Sequence, residues 1–388
     1  MFREAPQVRE IIRVDSPVDA PGKNDFGFAV TIMLMWGLGI LTLWTSSSGY
    51  GMRLFQNQNY FVIRQLFYSV AALACLLFFA NVRMDVLRSI LPFLVVGSIV
   101  LCLFVFVPGI GIEKNGSRRW LRIPHVMTFQ PSETAKIAVV LFIANLLAKR
   151  RGDEEKDIRI STPAIGLAVM VLIIFLQKDF SSGVFVLMMG ISIFFVAGMK
   201  IGWFLAYSFL AFLGSLLFVF LEPYRVNRLI AFMMPKFDLY GLNYQSNVAR
   251  LAIGAGELFG EGIGGGLTYI NRIPEVQADY IFVGWVEAMG FVGVLAYFAL
   301  LLFFAWRGYT VAVKCPSRFG ALTAFGCTTS IFLQTLINTG VVCSALPSTG
   351  IPLPFFSAGG SSLLITFAMC GLILNVSRIT EDDDGGEV

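Results

Sequence analysis

Residues 222–290 read EPYRVNRLIAFMMPKFDLYGLNYQSNVARLAIGAGELFGEGIGGGLTYINRIPEVQADYIFVGWVEAMG. They form the longest part of the chain without a clean membrane-spanning run of apolar residues. Asp279 lies where the apolar residues 280–283 resume. An acid at the point where a basic, glycine-rich loop re-enters the membrane is a candidate catalytic group. The basic side chains of the stretch are Arg225, Arg228, Lys236, Arg250 and Arg272.

The composition identifies a polytopic membrane protein. Of 388 residues, 56% are hydrophobic and 14% are charged, and the mean hydropathy is +0.75. A soluble domain has about 45–50% apolar and about 25% charged residues. The net charge of +4 gives no argument for nucleic acid as a partner. Six cysteines without paired spacing predict no disulfide framework or zinc site, and the single His125 excludes a multi-histidine metal centre.

Ten apolar runs of spanning length follow residue 25, and the regions around them are polar. They predict an all-α polytopic membrane protein with about ten transmembrane helices. A large extracytoplasmic loop, 222–279, separates helices 7 and 8. The predicted spans are 26–46, 60–80, 86–107, 132–148, 163–177, 181–198, 202–221, 280–306, 319–342 and 361–377.

Basic residues predict the orientation. The cluster Lys149-Arg150-Arg151 adjoins a predicted helix, which favours a cytoplasmic position, and an even number of spans places both termini on that side. The predicted domains are a cytoplasmic tail (1–25), a transmembrane domain (26–378) and an acidic cytoplasmic tail (379–388). The outer loops 108–131 and 222–279 nevertheless carry basic residues. Either they bind an anionic substrate, or long loops escape the rule.

The first outer loop places two arginines beside a tryptophan. Arg118 and Arg119 are able to bind a phosphate while Trp120 anchors the loop at the membrane interface. The alternative is that all three residues only anchor the loop at that interface. Further along, Glu133 and Lys136 are three residues apart and share a helix face inside the membrane. Ionisable groups at that depth indicate either a functional site or a paired internal strut.

Three further segments carry polar groups near the membrane. Asp179 either orients a loop group or caps the next helix. If a helix begins at Pro274, Glu275 and Asp279 lie on one face near its N-terminus. The uncharged segment 346–362, rich in proline and glycine, cannot continue a helix; its N–H groups and hydroxyls suit a polar headgroup, unless it is a plain outer loop. The sequence GEGIGG at 260–265 matches a dinucleotide-binding fingerprint but has no preceding strand. Its glycines are therefore expected to permit tight backbone turns or close approach to a ligand.

These segments together resemble the SEDS family (shape, elongation, division and sporulation) of polytopic peptidoglycan glycosyltransferases of the FtsW and RodA type. The resemblance covers nearly the whole chain after residue 25. The endings GELFGEGIG and GGSSLL look more like the division branch. The motifs that carry the resemblance are NGSRRWL (115–121), FQPSETAK (129–136), QKD (177–179), PYRVNRLIAF (223–232), GELFGEGIG (256–264), PEVQADYIF (274–282) and LPSTGIPLPFFSAGGSSLL (346–364).

The resemblance implies polymerisation of lipid II at the outer face of the bacterial cytoplasmic membrane, with undecaprenyl diphosphate as the leaving group. It implies that the family's catalytic acid is Asp279 here, acting as general base or as ligand of a divalent cation, Mg²⁺ or Mn²⁺. It also implies a class B penicillin-binding transpeptidase and other division or elongation proteins as partners. The expected substrate-binding residues are Arg118, Arg119, Glu133, Lys136, Asp179, Arg225, Arg228, Ser357 and Ser361.

Two alternatives remain open at the level of sequence. A transporter that flips lipid II would suit ten helices with an intramembrane Glu133 and Lys136. A non-catalytic scaffold of a division complex is the other alternative, because Gln277-Ala278 stands where the family has His-Thr before the acid. Product formation from purified protein and lipid II separates all three.

Overall fold

A computed structural model describes residues 24–114, 116–123, 127–148, 161–234, 241, 243–265 and 270–379. Most of the N-terminal tail, the basic cluster at 149–151 and nearly all of the acidic tail lie outside the described residues. The predicted tails and the cytoplasmic position of that cluster therefore stay predictions.

Each of the ten predicted spans coincides with a helix. Seven of the described helices are long and apolar enough to cross a membrane, and three more are apolar but shorter. The all-α polytopic fold class is confirmed, while the number of helices that cross stays a prediction. The ten helices are α1 (Phe26–Phe55), α2 (Tyr60–Asn81), α3 (Met84–Phe104), α4 (Pro131–Ala148), α5 (Ser161–Leu176), α6 (Phe180–Val196), α7 (Ile201–Phe220), α10 (Ile281–Lys314), α11 (Arg318–Val342) and α12 (Gly360–Val376).

The two predicted outer loops contain structure that the sequence did not indicate. Loop 108–131 forms a three-stranded antiparallel sheet of β1 (Gly111–Lys114), β2 (Ser117–Ile123) and β3 (Met127–Phe129). Gly116 has a φ of 70° at the turn between β1 and β2, a conformation that glycine adopts without strain. Loop 222–279 contains α8 (Pro223–Met233) and α9 (Tyr244–Ala255).

Helix α1 extends nine residues beyond the predicted end at 46, through a polar segment. Hydroxyl groups there bond to carbonyls of the same helix, as Ser47 Oγ does to the Leu43 carbonyl at 2.6 Å. Ser46, Ser47 and Gly51 are buried against the rest of the protein. Packing against neighbouring helices, rather than hydropathy, sets the end of α1.

The core is formed by α4, α11 and α12, which are the most extensively buried of the described helices. Gly371 of α12 fits closely against the backbone of α2, where an added Cβ would lie 2.5 Å from the Leu76 carbonyl oxygen. By contrast, α7 has no buried residue and packs against α6 and α8 at the periphery. Its exposed apolar side chains suit contact with lipid.

The two ends of the described chain meet at one end of the bundle. The Asp25 amide donates to Ser377 Oγ at 3.1 Å, and the Asp25 carboxylate pairs with Arg307. This arrangement agrees with an even number of spans, since an odd number would separate the ends across the membrane.

Helix α10 is broken at Gly290, whose φ is 61° and ψ is −162°. Residues 257–262 fill the break with four backbone hydrogen bonds, including Glu261 N–H to the Glu287 carbonyl at 2.9 Å and Phe291 N–H to the Glu257 carbonyl at 2.9 Å. A Cβ at Gly260 would lie 2.2 Å from the Ala288 carbonyl oxygen. Gly260 and Gly262 have left-handed φ values of 77° and 86°, which agrees with the predicted tight turns, and Gly260 also allows close approach of the chain's own backbone.

Candidate active site

Asp279 lies in a series of turns immediately before α10. No helix begins at Pro274, so Glu275 and Asp279 do not share a helix face: Glu275 has a left-handed φ of 50°, and α10 begins at Ile281. The turns allow both Ile273 and Val276 to be buried. Asp279 itself is half-buried and follows this anchored segment.

Segment 346–359 packs directly against the Asp279 turn. It is non-helical, and its interior is buried in protein from Ile351 to Ser357. The Ala358 N–H donates to the Gln277 carbonyl at 2.8 Å, and Asn338 Nδ2 donates both to the Asp279 carbonyl at 2.7 Å and to the Ile351 carbonyl at 2.8 Å. This is the buried, irregular backbone that the sequence predicted for the segment, and it is more than a plain outer loop.

A polar cavity of about 630 Å³, which we call the large cavity, adjoins Asp279. Its walls come from α2, β2, α8, the Asp279 turn and segment 346–359. Its charged side chains are Arg64, Arg119, Arg228, Glu275 and Asp279. Two predicted arginines thus share one cavity with the predicted catalytic acid.

Arg64 is a member of this cavity that the sequence reasoning missed. It lies in α2, where its guanidinium donates to the hydroxyls of Tyr60 at 2.9 Å and Tyr68 at 2.7 Å. It also lies 5.4 Å and 5.7 Å from the centroids of the same two rings. An arginine inside a predicted span is by itself a signal of function, and that signal was available in the sequence.

Arg119 connects the large cavity to two others. One, the side cavity, has about 340 Å³ and also contains Lys178, Arg225 and Arg228. The other, the small cavity, has about 60 Å³ and contains Glu133, Lys136 and Asp179. Arg119 lies 3.6 Å from the Asp179 carboxylate and donates to the Lys178 carbonyl. Its Nε is buried and has no hydrogen-bond partner among the described residues, which suits a group that meets a ligand.

Arg118 points away from these cavities. Its guanidinium pairs with Glu113 on β1 at 3.1 Å, and both side chains are largely exposed. Arg118 pairs in register with Glu113, whereas Arg119 is the extra residue of a β-bulge in β2 and lines all three cavities. The structure therefore brings Arg119, and not Arg118, to Asp279.

Asp179 is 2% exposed and organises the wall between the sheet and α4. Its Oδ2 accepts hydrogen bonds from Gln130 Nε2 at 2.9 Å and from Ser132 Oγ at 3.0 Å. It makes no side-chain cap to α6, so the capping prediction is wrong and the alternative, that it orients a loop group, is correct. Buried carboxylates need such donors, because desolvation of an unpaired charge is costly.

Glu133 and Lys136 form the predicted pair. Their charged atoms lie 2.7 Å apart, and each side chain is 3% exposed. Lys136 Nζ also donates to Gln334 Oε1 of α11 at 2.8 Å. The pair is an internal strut that also lines the small cavity.

Arg225 and Arg228 extend from α8 over the side cavity. Arg225 donates to the Phe218 carbonyl at 2.7 Å, and Arg228 donates to the Ser348 carbonyl at 3.0 Å. Burial lowers the pKa of the Arg225 guanidinium, against the influence of Glu222. Partial removal from water strengthens the attraction of such a cation for a phosphate.

The hydroxyls of the two serines predicted to bind substrate accept hydrogen bonds from backbone N–H groups of the protein. Ser357 Oγ accepts from the Leu353 N–H at 2.7 Å, within segment 346–359. Ser361 Oγ accepts from the Gln130 N–H at 3.1 Å. Both serines lie outside the linings of the three cavities and hold segments that form those linings.

Metal ligands are sparse in the described part of the chain. No group of three or more His, Cys, Asp or Glu side chains that could hold a metal ion occurs there. Asp279 and Glu275 are the two carboxylates that share the large cavity. These residues alone do not form a complete metal site.

The fold and cavities define a polytopic membrane protein with an acidic residue facing an arginine-lined cavity at one end of its helices. The chain belongs to the FtsW/RodA/SpoVE family of cell cycle proteins, whose family model matches residues 27–382. The resemblance seen in the sequence motifs is thereby confirmed.

Relatives and solved structures cover nearly the whole chain. It is 33% identical over 358 residues to the stage V sporulation protein E of Bacillus subtilis, with 91% of this chain and 97% of the relative covered. It is 33% identical over 357 residues to the "probable peptidoglycan glycosyltransferase FtsW" of Borreliella burgdorferi, with 90% and 96% covered. The rod shape determining protein RodA of Thermus thermophilus matches with a TM-score of 0.67 at 25% identity, covering 92% of this chain and 98% of that one. A chain of a peptidoglycan synthase complex that coordinates polymerization and crosslinking matches with a TM-score of 0.76 at 26% identity, covering 93% and 99%.

Proposed function

We propose that this protein is a peptidoglycan glycosyltransferase that polymerises lipid II at the outer face of the bacterial cytoplasmic membrane during cell division or elongation. The observation that carries the proposal is the large cavity, in which Asp279 shares one polar space with Arg64, Arg119 and Arg228. The FtsW names of several relatives support the same activity. Both termini would then be cytoplasmic.

Asp279 is the general base of the proposed reaction. The 4-hydroxyl of an incoming lipid II attacks the anomeric carbon of the growing chain, and its proton passes to the Asp279 carboxylate. The new glycosidic C–O bond forms as the C–O bond to the diphosphate breaks, with inversion at the anomeric carbon. A positioned base contributes about 10²–10⁴-fold to such a step.

The arginines stabilise the departing undecaprenyl diphosphate. Arg119 and Arg228 each line both the large and the side cavity, so they lie along a continuous path for a diphosphate. Charge placed where the leaving group develops its own charge lowers the barrier without reorganisation during the reaction. Arg225 and Lys178 extend the same positive surface, and the polyprenyl chain lies in the surrounding lipid.

A divalent cation remains a proposal. Asp279 and Glu275 would contribute carboxylate oxygens, and the substrate diphosphate would contribute the remaining ligands. Mg²⁺ or Mn²⁺ held in this way would neutralise charge on the leaving group. In that case Asp279 acts as a cation ligand instead of the base, and the arginines act as described.

Partners follow from the same activity. Glycan strands made at the outer face require crosslinking, which a class B penicillin-binding transpeptidase would supply together with other division or elongation proteins. The similarity to a chain of a peptidoglycan synthase complex supports such an assembly.

The test is glycan formation from purified protein and lipid II, resolved on a gel. The wild type should make polymer, and Asp279→Asn should fold and make none. Asp85→Asn is the matched control, because Asp85 forms an exposed ion pair with Arg83 at the start of α3, outside the three cavities. Polymer from Asp279→Asn at the wild-type rate would reject the base; no polymer from wild type would favour the transporter or the scaffold.

A further inference from the structure

Helix α11 carries two buried amide side chains on one face, Gln334 and Asn338, four residues apart. Gln334 Oε1 accepts from Lys136 Nζ at 2.8 Å, and its Nε2 donates to the Pro352 carbonyl at 2.8 Å. Asn338, one turn further along, bonds to the next carbonyl of the same segment, that of Ile351. The face therefore fastens segment 346–359 to the core at two successive carbonyls.

Asn338 also reaches the proposed catalytic residue. Its Nδ2 lies 2.7 Å from the Asp279 carbonyl and 2.8 Å from the Ile351 carbonyl. Because both neighbours are acceptors, the group that faces them must be the NH₂ group, which has two hydrogens to donate. Asn338 is 1% exposed, so water does not compete for these bonds.

Asn338 joins two carbonyls that belong to the surroundings of the Asp279 carboxylate. One belongs to Asp279 itself, and the other belongs to the residue after Gly350. The position that a Cβ of Gly350 would occupy lies 3.8 Å from Asp279 Oδ2, so the Gly350 backbone adjoins the carboxylate. The Asn338 side chain thus ties the peptide of the acid directly to the strip of backbone beside it, in addition to the Ala358 N–H bond to the Gln277 carbonyl.

We infer that Asn338 is the positioning residue for Asp279, holding the peptide that carries the carboxylate at a fixed place on the wall of the large cavity. The inference rests on the proposed function. Asp279 precedes α10 and lies in a turn, so its peptide lacks the support of a continuous helix. Small displacements of a reacting group are costly in rate: a shift of about 1 Å is able to cost about 10²-fold.

The test uses two substitutions of different size. Asn338→Leu has a similar volume and no donor. Asn338→Ser is smaller, and on a helix its hydroxyl bonds to the carbonyl one turn earlier rather than across to the Asp279 and Ile351 carbonyls. The matched control is Thr339→Val, since the Thr339 hydroxyl is buried on the same turn and bonds to the Thr335 carbonyl within α11 at 2.9 Å.

The measurements are lipid II polymerisation at saturating and limiting substrate, normalised to folded protein, with Asp279→Asn in parallel. Both Asn338 variants should lower kcat by about 10- to 100-fold while KM for lipid II changes little, because the base is misplaced and the binding surface is retained. Thr339→Val should keep the wild-type kcat. A residue with a merely structural role would lower the yield of folded protein without lowering kcat per folded molecule.

The outcomes separate the two proposals. Normal kcat in either Asn338 variant, with Asp279→Asn inactive, would overturn the positioning role and leave the proposed function intact. An unchanged kcat with a raised KM would assign Asn338 to substrate binding instead. If neither Asn338 variant folds, Asn338 is a folding residue and the inference is rejected. If Asp279→Asn polymerises normally, the proposed base fails, and the inference fails with it.

Discussion

The buried pair Glu133–Lys136 allows a quantitative test of the structure. Lys136→Met keeps the length of the side chain and removes its charge. The Glu133 carboxylate then loses a partner at 2.7 Å, and Gln334 Oε1 loses a donor at 2.8 Å. Removing one partner of a buried pair destabilises proteins by about 3–5 kcal/mol, because the remaining charge stays buried without compensation.

Unfolding in detergent is followed by the reaction of buried cysteines with a thiol reagent. Cys102, Cys327 and Cys370 are buried in the folded protein and report its opening. The control is Lys178→Met, which removes the partially exposed partner of Glu222 at 3.1 Å. A surface pair contributes about 0–1 kcal/mol, so Lys136→Met should be the more destabilising by at least about 2 kcal/mol.

A double variant tests whether the uncompensated charge of Glu133 causes the loss of stability. Glu133→Gln combined with Lys136→Met leaves no charge behind and should recover most of the stability lost in Lys136→Met alone. The reasoning is refuted if Lys136→Met is no less stable than Lys178→Met, or if the double variant is as unstable as the sum of its single substitutions. Polymerisation by Lys136→Met should also fall, since Lys136 and Arg119 line the same small cavity.

The other predictions concern the cavity, the broken helix, the topology and the cation. Arg119→Met should reduce polymerisation by about 10²-fold in a lipid II assay, whereas Arg118→Met, outside the three cavities, should change it little; equal losses would contradict the placement of Arg119 alone in the cavities. Gly260→Ala should destabilise by about 1–3 kcal/mol, because its φ is 77° and a backbone carbonyl oxygen lies 2.2 Å from the added Cβ. Gly254→Ala in α9, with open space around it, should be neutral or stabilising in the same unfolding assay. A cysteine at Gly152, in the loop predicted to be cytoplasmic, should not react with an impermeant thiol reagent in intact cells. Removal of divalent cations by a chelator should abolish polymerisation if a cation assists the leaving group, and re-addition of Mg²⁺ or Mn²⁺ should restore it; full activity in the chelator would exclude that assistance.

Interactions between residues that are near each other in the chain allowed much of the fold and part of the candidate site to be predicted from the sequence. Apolar runs of spanning length indicate helices wherever they occur, because a segment in lipid must satisfy its backbone hydrogen bonds internally. Glu133 and Lys136 are three residues apart on one helix, a spacing at which oppositely charged side chains are neighbours and form an ion pair. The prolines and glycines of segment 346–359 exclude a helix there, and α12 begins only at Gly360. The acid Asp279 was identified by its position between a polar loop and an apolar run, and by its resemblance to the family's motif.

Contacts between distant segments decided the rest. Arg118 and Arg119 are adjacent and chemically identical, but Arg118 pairs with Glu113 of β1 while Arg119, at a β-bulge, lines the cavities. Asp179 looks like a helix cap locally, but Gln130 and Ser132, almost fifty residues earlier, take its carboxylate. Asn338 is fifty-nine residues from the Asp279 carbonyl that it holds. Such pairings depend on how whole helices pack, and no local pattern of residues specifies them.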